Sequence, residues 1–150
     1  MVMFDHPLGR NPIIDGFSKS SRRLSDLHSD FRPFVLELIA HAVEKNLKPK
    51  IIETRRSISQ HRENVKNGKS FSIDKLSWHC FGLAIDIAPE NVLTLENWGP
   101  KREEWQALGE IGKSLGLGWG GLWKQRDMVH FEASPLLRSS IDMGSIVLWG

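Results

Sequence analysis

The pattern of hydrophobic and polar positions along the chain predicts helices interleaved with short strands. Apolar residues at helical spacing predict a helix that begins at Ser20, with Leu24, Leu27 and Phe31 on one face, and further helices over residues 33–46, 57–67 and 100–115. Short runs of apolar and β-branched residues predict strands over residues 50–54, 83–88 and 127–132, and an edge strand over 146–149. A polar loop is expected over residues 68–76, and an irregular arm punctuated by Pro and Gly precedes the first helix.

The strand predicted over residues 83–88 carries a charged residue inside an apolar run. Because side chains alternate between the two faces of a strand, Asp86 points away from the face that carries its isoleucine neighbours. A carboxylate in such a run is costly unless a cation, a hydrogen-bond donor or a metal ion compensates it. His79 lies just before Gly82, so a turn at this glycine would bring His79 beside Asp86.

A second polar cluster, downstream in the chain, supplies the groups that a metal site would need in addition to His79 and Asp86. A catalytic zinc ion takes three protein ligands from His, Asp, Glu or Cys and keeps one position open for water. His79, Asp86 and His130 would form such a set, and Asp127 would be the general base if a turn aimed it into the same cleft. Glu132 shares a strand face with His130 and is the rival base. The alternative is that these are polar residues at strand ends, with Asp86 held by a salt bridge.

Composition limits the remaining possibilities. At 150 residues the chain suits a single domain over 1–150, with its core at about 20–135, an N-terminal arm at 1–18 and a C-terminal tail at 134–150. The formal net charge of +2 is too small to indicate nucleic acid as a partner, and no basic stripe interleaved with aromatic residues supports one. The single cysteine, Cys80, excludes an internal disulfide, and we expect it to be a small buried hydrophobe rather than a ligand.

The other histidines and the tryptophans near the two clusters have simpler interpretations. His61 lies on a polar helix and is expected to be exposed to solvent, while His28 and His41 are expected within helices, at the surface or the edge of the core. Three tryptophans flank the predicted site and either line a cleft or pack in the core: Trp78, Trp119 and Trp123.

Two motifs, in order along the chain, carry a resemblance to a known family. The first is Ser77-x-His79-x-x-Gly82-x-Ala84-x-Asp86, and the second is Trp119-Gly120-Gly121-x-Trp123 followed by Asp127-x-x-His130-Phe131. Together they resemble the zinc D-alanyl-D-alanine carboxypeptidase and L-alanyl-D-glutamate endopeptidase family, and in particular its single-domain phage endolysins. The resemblance covers residues 24–132. It implies an α+β fold of the Hedgehog/DD-peptidase type, with helices packed on a small, mainly antiparallel sheet and a zinc cleft on the open face of that sheet.

The resemblance also implies roles for individual residues. His79, Asp86 and His130 correspond to the ligands of one zinc ion per chain, and Asp127 corresponds to the catalytic base. Arg56 corresponds to an arginine that binds the substrate and shares the negative charge that develops at the scissile carbonyl.

Alternatives remain open around these assignments. Arg55 competes with Arg56, because a shift of one residue in the turn would exchange their directions, and a salt bridge with Glu53 is another role for Arg56. Ser77 and Trp123 are further candidates for substrate binding, although Ser77 would equally serve by hydrogen-bonding the turn. Relatives commonly carry aspartate at the position of Leu122, which leaves open either how outer partners orient the metal ligands or the substrate preference of this chain.

The function implied is that of a zinc metallopeptidase that hydrolyses peptidoglycan stem peptides, as a phage or prophage endolysin that cuts the L-alanyl-D-glutamate bond. The alternatives are a D-alanyl-D-alanine carboxypeptidase or dipeptidase, and a catalytically inactive zinc-containing module that binds the cell wall. The N-terminus lacks the features of a signal peptide, and no apolar run approaches the roughly 20 residues that cross a bilayer. We therefore expect a monomer without a membrane anchor, with peptidoglycan as its partner, held in the cytoplasm until a separate pore releases it to the cell wall.

Overall fold

Helices and short strands alternate along the chain, as the sequence predicts. The computed structural model describes residues 11–17, 19–68, 75–94, 99 and 102–150, so most of the predicted polar loop lies outside the described residues. The helices are α1 (Arg32–Glu44), α2 (Ile58–Lys66), α3 (Glu103–Ser114) and the short α4 (Pro135–Ser139). The strands are β1 (Ile13–Ile14), β2 (Pro49–Glu53), β3 (Ala84–Pro89), β4 (Gly118–Trp119), β5 (His130–Glu132) and β6 (Leu148–Trp149).

The main sheet has four strands in the order β2-β3-β5-β4, and every neighbouring pair is antiparallel. A separate parallel pair joins β1, from the N-terminal part of the described chain, to β6 near its C-terminus. This architecture confirms the predicted α+β class with a small, mainly antiparallel sheet. Among the described residues, no helix combines the length and the apolar character that crossing a membrane would require.

The hydrophobic core lies between the sheet and the two long helices, α1 and α3. Their buried faces carry Val35, Leu38 and Ala42 on α1 and Trp105, Leu108 and Ile111 on α3. From the sheet, Ile85 and Ile87 of β3 are fully buried. Since residues alternate along a strand, this burial turns Asp86 to the opposite face, which is the face that carries the site.

The helix predicted from Ser20 is wrong. Only a single short turn of 3-10 helix forms, at Leu24–Asp26, and His28 lies beyond it in a turn rather than within a helix. The cause is backbone pairing: the N–H of Ser21 donates to the carbonyl of Arg55 at 2.8 Å, and the carbonyl of Ser21 accepts from the N–H of Thr54 at 2.7 Å. This extended segment is held beside the end of β2, although its apolar residues still enter the core.

The predicted exposure of His61 is also wrong, because its side chain is buried on α2 with only 1% of its surface exposed. His61 stands three residues after the buried Ile58, so the two share the inward side of the helix. Because most residues of α2 are polar, the pattern of hydrophobic residues does not mark this inward side.

Candidate metal centre and active-site cleft

Three strands bring polar side chains into one row across the sheet. Glu53 of β2 is paired with Asp86 of β3, and Asp86 is in turn paired with His130 of β5. Directly opposed residues project to the same face of a sheet, so the three side chains are neighbours. The row lies on the face opposite to α1 and α3, and it forms the floor of the site.

A capped turn delivers His79 to this row. His79 lies in the 3-10 turn Trp78–Phe81, where the Oγ of Ser77 accepts the N–H of His79 at 3.2 Å. Gly82 ends the turn at φ +71°, and a Cβ at this position would lie 2.8 Å from the backbone nitrogen of His28. Glycine is therefore required both for the backbone conformation and for the close approach.

The side chains of His79, Asp86 and His130 converge in one group. Nε2 of His79 lies 3.0 Å and Nδ1 of His130 lies 3.3 Å from Oδ1 of Asp86, and one ligand atom from each residue falls within 4.8 Å of the others. Ligands bound tetrahedrally to zinc at about 2.0–2.2 Å are separated by about 3.3–3.6 Å. The donor set and the two distances to Asp86 therefore suit a zinc ion.

The outer nitrogens of the two histidines support the same conclusion. Nδ1 of His79 donates to the carbonyl oxygen of Thr54 at 3.1 Å, and Nε2 of His130 donates to Oε1 of Glu132 at 2.8 Å. Each ring thus faces an acceptor at both nitrogens, whereas a neutral imidazole has only one N–H. A proton or a metal ion must supply positive charge at each inner nitrogen, and one dication between the rings would serve both.

Charges within the cluster shift the pKa values of its members. Burial alone would raise the pKa of Asp86, but the neighbouring His79 and His130 outweigh it and hold that pKa well below its usual range. Burial would lower the pKa of His130, but hydrogen bonds with Asp86 and Glu132 outweigh it and raise the pKa to about 9. The site therefore attracts positive charge strongly.

Asp127 reaches the cleft from the loop before β5. Its backbone N–H donates to the carbonyl of Gly120 at 3.0 Å, and its own carbonyl accepts from the N–H of His130 at 3.3 Å, which forms the turn that the sequence analysis required. Burial, together with the nearby charge of Asp86, raises the pKa of Asp127. A carboxyl group with a raised pKa beside a metal cluster is suited to accept a proton.

The two adjacent arginines point in different directions. Arg56 lines the cleft, and its Nε donates to Oε1 of Glu53 at 3.1 Å, so the salt bridge considered from the sequence forms within the cleft. Arg55 instead donates to the carbonyl of Val147, with its guanidinium 4.9 Å from the ring centre of Trp149. Between the two, only Arg56 faces the metal cluster.

The cleft itself has a volume of about 490 Å³ and a polar lining. Its lining residues are Ser20, Ile52, Glu53, Arg56, Gln60, Asn64, Asp86 and Asp127. Gln60 and Asn64 of α2 form one wall, joined by a hydrogen bond of 2.7 Å from Nε2 to Oδ1. The cleft thus presents polar side chains beside the cluster of His79, Asp86 and His130.

Of the other candidate residues, some lie beside the site and others are buried in the core. The ring of Trp123 is centred 5.1 Å from the ring of His130, whereas Trp78 and Trp119 are buried in the core. Ser77 sits beneath His79 as the cap of its turn, and its assignment to substrate binding stays a prediction. Cys80 is buried, and burial raises the pKa of its thiol to about 12. Leu122 is largely exposed.

Sequence reasoning missed several groups that hold the site together. No pattern in the sequence indicates that the backbone of Thr54 or the side chains of Gln60 and Asn64 belong to the site. For Glu53 the sequence indicates only the possible salt bridge. Glu132 was considered as a base, but its carboxylate holds the outer nitrogen of His130. The spacing of Glu132 from His130 on one strand is the signal that would have found this contact.

Fold and site together are those of a metal-dependent peptidase. The sequence profile of a family described as D-alanyl-D-alanine carboxypeptidase, peptidase family M15, matches residues 72–133. The chain is also 32% identical over 126 residues to the peptidoglycan L-alanyl-D-glutamate endopeptidase CwlK of Bacillus subtilis (strain 168). The match covers 74% of this chain and 75% of CwlK. The chain therefore belongs to this peptidase family.

Two solved structures resemble the fold. The L-Ala D-Glu endopeptidase ChiX of Serratia marcescens superposes with a TM-score of 0.57 at 26% identity, over 85% of this chain and 93% of ChiX. The LD-carboxypeptidase LdcB superposes with a TM-score of 0.58 at 11% identity, over 93% of this chain and 78% of LdcB, and this likeness concerns the fold alone. The family resemblance seen in the two motifs is thereby confirmed.

Proposed function

We propose that this protein is a zinc-dependent peptidase that hydrolyses the L-alanyl-D-glutamate bond of peptidoglycan stem peptides. The observation that carries the proposal is the convergence of His79, Asp86 and His130 beside Asp127 in one polar cleft. The choice of bond is supported by the 32% identity to CwlK and by the likeness to ChiX, both of which are L-alanyl-D-glutamate endopeptidases.

In this proposal His79, Asp86 and His130 hold one zinc ion per chain. Zinc bound there would polarise the scissile carbonyl and make water a better nucleophile at neutral pH. The carbonyl of Thr54 and the carboxylate of Glu132 fix the outer nitrogens of the two histidines, so that each ring presents its other nitrogen to the ion.

The remaining cleft residues act on water and substrate. Asp127 takes a proton from the attacking water and then returns it to the leaving amine. Arg56 donates hydrogen bonds to the carbonyl oxygen as negative charge develops there, and Glu53 fixes the direction of its guanidinium. Trp123 lies against His130 at the edge of the site and is proposed to contact the stem peptide.

A second candidate function is D-alanyl-D-alanine carboxypeptidase activity, because the matching family profile carries that description. The two activities leave different products. Endopeptidase cleavage creates a new amino terminus on D-glutamate and leaves the D-alanine end intact, whereas carboxypeptidase action releases free D-alanine. Mass spectrometry of purified peptidoglycan digested with the enzyme separates them directly.

The test combines zinc content with product formation for the wild type and three variants. We expect one zinc ion per chain in the wild type, loss of zinc and activity in His130→Ala, and retained zinc without activity in Asp127→Asn. His41→Ala is the matched control, since His41 is a half-exposed histidine of α1 whose nearest acid is Glu44. Zinc without cleavage in the wild type would contradict the peptidase and favour the alternative of an inactive module that binds the cell wall. Absence of bound zinc would refute the proposed metal site.

The biological role proposed is that of a phage or prophage endolysin, which stays in the cytoplasm until a separate pore admits it to the cell wall. This proposal is supported by the resemblance of the two motifs to single-domain endolysins. Expression in a bacterial host provides the test: lysis should require both this protein and a pore-forming protein, and should be absent with Asp127→Asn. Lysis by this protein alone would contradict a pore-dependent role.

A further inference from the structure

The C-terminal segment of the chain reaches the metal cluster through one arginine. Arg138 lies on α4, and its Nη1 donates to Oε2 of Glu132 at 2.8 Å. The other oxygen of Glu132, Oε1, accepts Nε2–H of His130 at the same distance of 2.8 Å. Arg138, Glu132 and His130 therefore form a continuous chain of hydrogen bonds that ends at a ligand of the cluster.

The same guanidinium group is fixed on two further sides. Nη1 of Arg138 also donates to the carbonyl oxygen of Ala133 at 2.8 Å. Its guanidinium carbon lies 4.4 Å from the ring centre of Trp78, the residue directly before His79. One side chain thus contacts both segments that carry the histidines, and its planar, multiply bonded group suits such a junction better than a flexible ammonium would.

Burial makes this junction necessary. Glu132 is only 5% exposed, and a buried carboxylate is costly unless it is paired and hydrogen-bonded. Arg138 supplies the pairing and so keeps Glu132 available as an acceptor. Because Glu132 then holds Nε2–H of His130, the ring is fixed with Nδ1 toward Asp86.

We propose that Arg138 is a positioning residue of the metal centre, acting through Glu132 on His130. Arg138 lies beyond residue 133, where the match to the family profile ends. In this proposal the segment after the matched region therefore contributes a residue to the site. The proposal rests on the zinc site proposed above. It assigns to α4 a function that differs from closing the hydrophobic core.

The test measures zinc affinity by competition with a chromophoric chelator for the full chain and its variants. Glu132→Ala and Arg138→Ala should each weaken zinc binding by about 10- to 100-fold, the range found when outer partners of metal ligands are removed. Arg138→Lys, which keeps the positive charge, should recover part of the loss. In the nitrogen-edited NMR spectrum, the Nε2–H signal of His130 should be protected from exchange in the wild type and lost in Glu132→Ala.

Arg32→Ala is the control for a general loss of stability. Arg32 is likewise held by backbone carbonyls, those of Leu24, Ser25 and Leu27, and belongs to α1. Wild-type zinc affinity in Arg138→Ala, or an equal loss in Arg32→Ala, would overturn the positioning role. Failure of the wild type to bind zinc would refute the metal site itself, and so is distinguishable from failure of this inference.

Discussion

Replacing Gly120 by alanine should displace Asp127, the proposed catalytic base, without removing any functional group. The carbonyl of Gly120 accepts the N–H of Asp127, and a Cβ on Gly120 would lie 2.4 Å from the carbonyl oxygen of Asp127 and 3.0 Å from its Cβ. An ordinary contact begins at 3.4 Å, so the backbone of Asp127 must retreat by about 1 Å. A backbone atom cannot swing aside as a flexible side chain would.

The size of the effect follows from this displacement. A misplacement of about 1 Å in a catalytic group costs about 100-fold in rate, which corresponds to about 2.7 kcal/mol in the activation free energy. We expect kcat to fall by this factor. Two of the ligands, His79 and Asp86, lie on other segments, so the zinc content should remain one per chain. The overpacking itself should lower the free energy of unfolding by about 1–3 kcal/mol.

The assay follows new amino termini released from purified peptidoglycan, with zinc content and thermal unfolding measured on the same preparations. Gly144→Ala is the matched control, because a Cβ at Gly144 would lie 3.7 Å from the nearest atom and should leave activity unchanged. The reasoning would be refuted if Gly120→Ala kept wild-type kcat while Asp127→Asn was inactive, since the loop would then absorb the methyl group without moving the base.

Two further predictions concern charge in the site. In the metal-free protein the pKa of His130 is raised from 6.5 to about 9, so its stabilising contribution is complete below pH 6.5 and is lost as the pH rises through 9. This change in pKa corresponds to about 3 kcal/mol in the free energy of unfolding. Urea unfolding in the presence of a chelator, at about pH 6 and about pH 10, measures the difference, and equal stability at the two pH values would contradict the prediction. Separately, Arg56→Gln should lower kcat by about 100-fold as a donor to the carbonyl oxygen is lost. Arg55→Gln should lower the thermal midpoint and leave kcat unchanged, because Arg55 contacts the C-terminal segment; the opposite pattern would exchange their roles.

The elements that local patterning determines were predictable from the sequence. Alternation along β3 turned Asp86 away from Ile85 and Ile87, and the helical spacing of α1 and α3 marked their buried faces. The convergence of the two polar clusters was expected from the family resemblance, whereas the spacing of the residues alone left it open. Hydrophobic periodicity and turn residues depend only on neighbouring positions in the chain, so they can be recognised without knowledge of the tertiary contacts.

Tertiary contacts account for what the sequence did not reveal. The segment around Ser21 has helical spacing, but its backbone pairs with the end of β2 and is extended. The directions of Arg55 and Arg56 depend on an irregular register in β2 between Ile51 and Glu53, which no residue pattern marks. Arg138 reaches Glu132 only after the chain has turned through α4, so its contact with the site has no signature in spacing.

The distribution of charge explains why the site needs so many supporting residues. The cluster and its surroundings contain four carboxylates and two guanidinium groups: Glu53, Asp86, Asp127, Glu132, Arg56 and Arg138. Each arginine pairs with one glutamate, while Asp86 faces the histidines and Asp127 faces the cleft. With neutral histidines the group carries two net negative charges, which one zinc dication would balance. The arginines thus stabilise the two glutamates that orient the site, and within the described residues they leave the two aspartates unpaired with arginine, as the proposed roles in binding the metal ion and accepting the proton require.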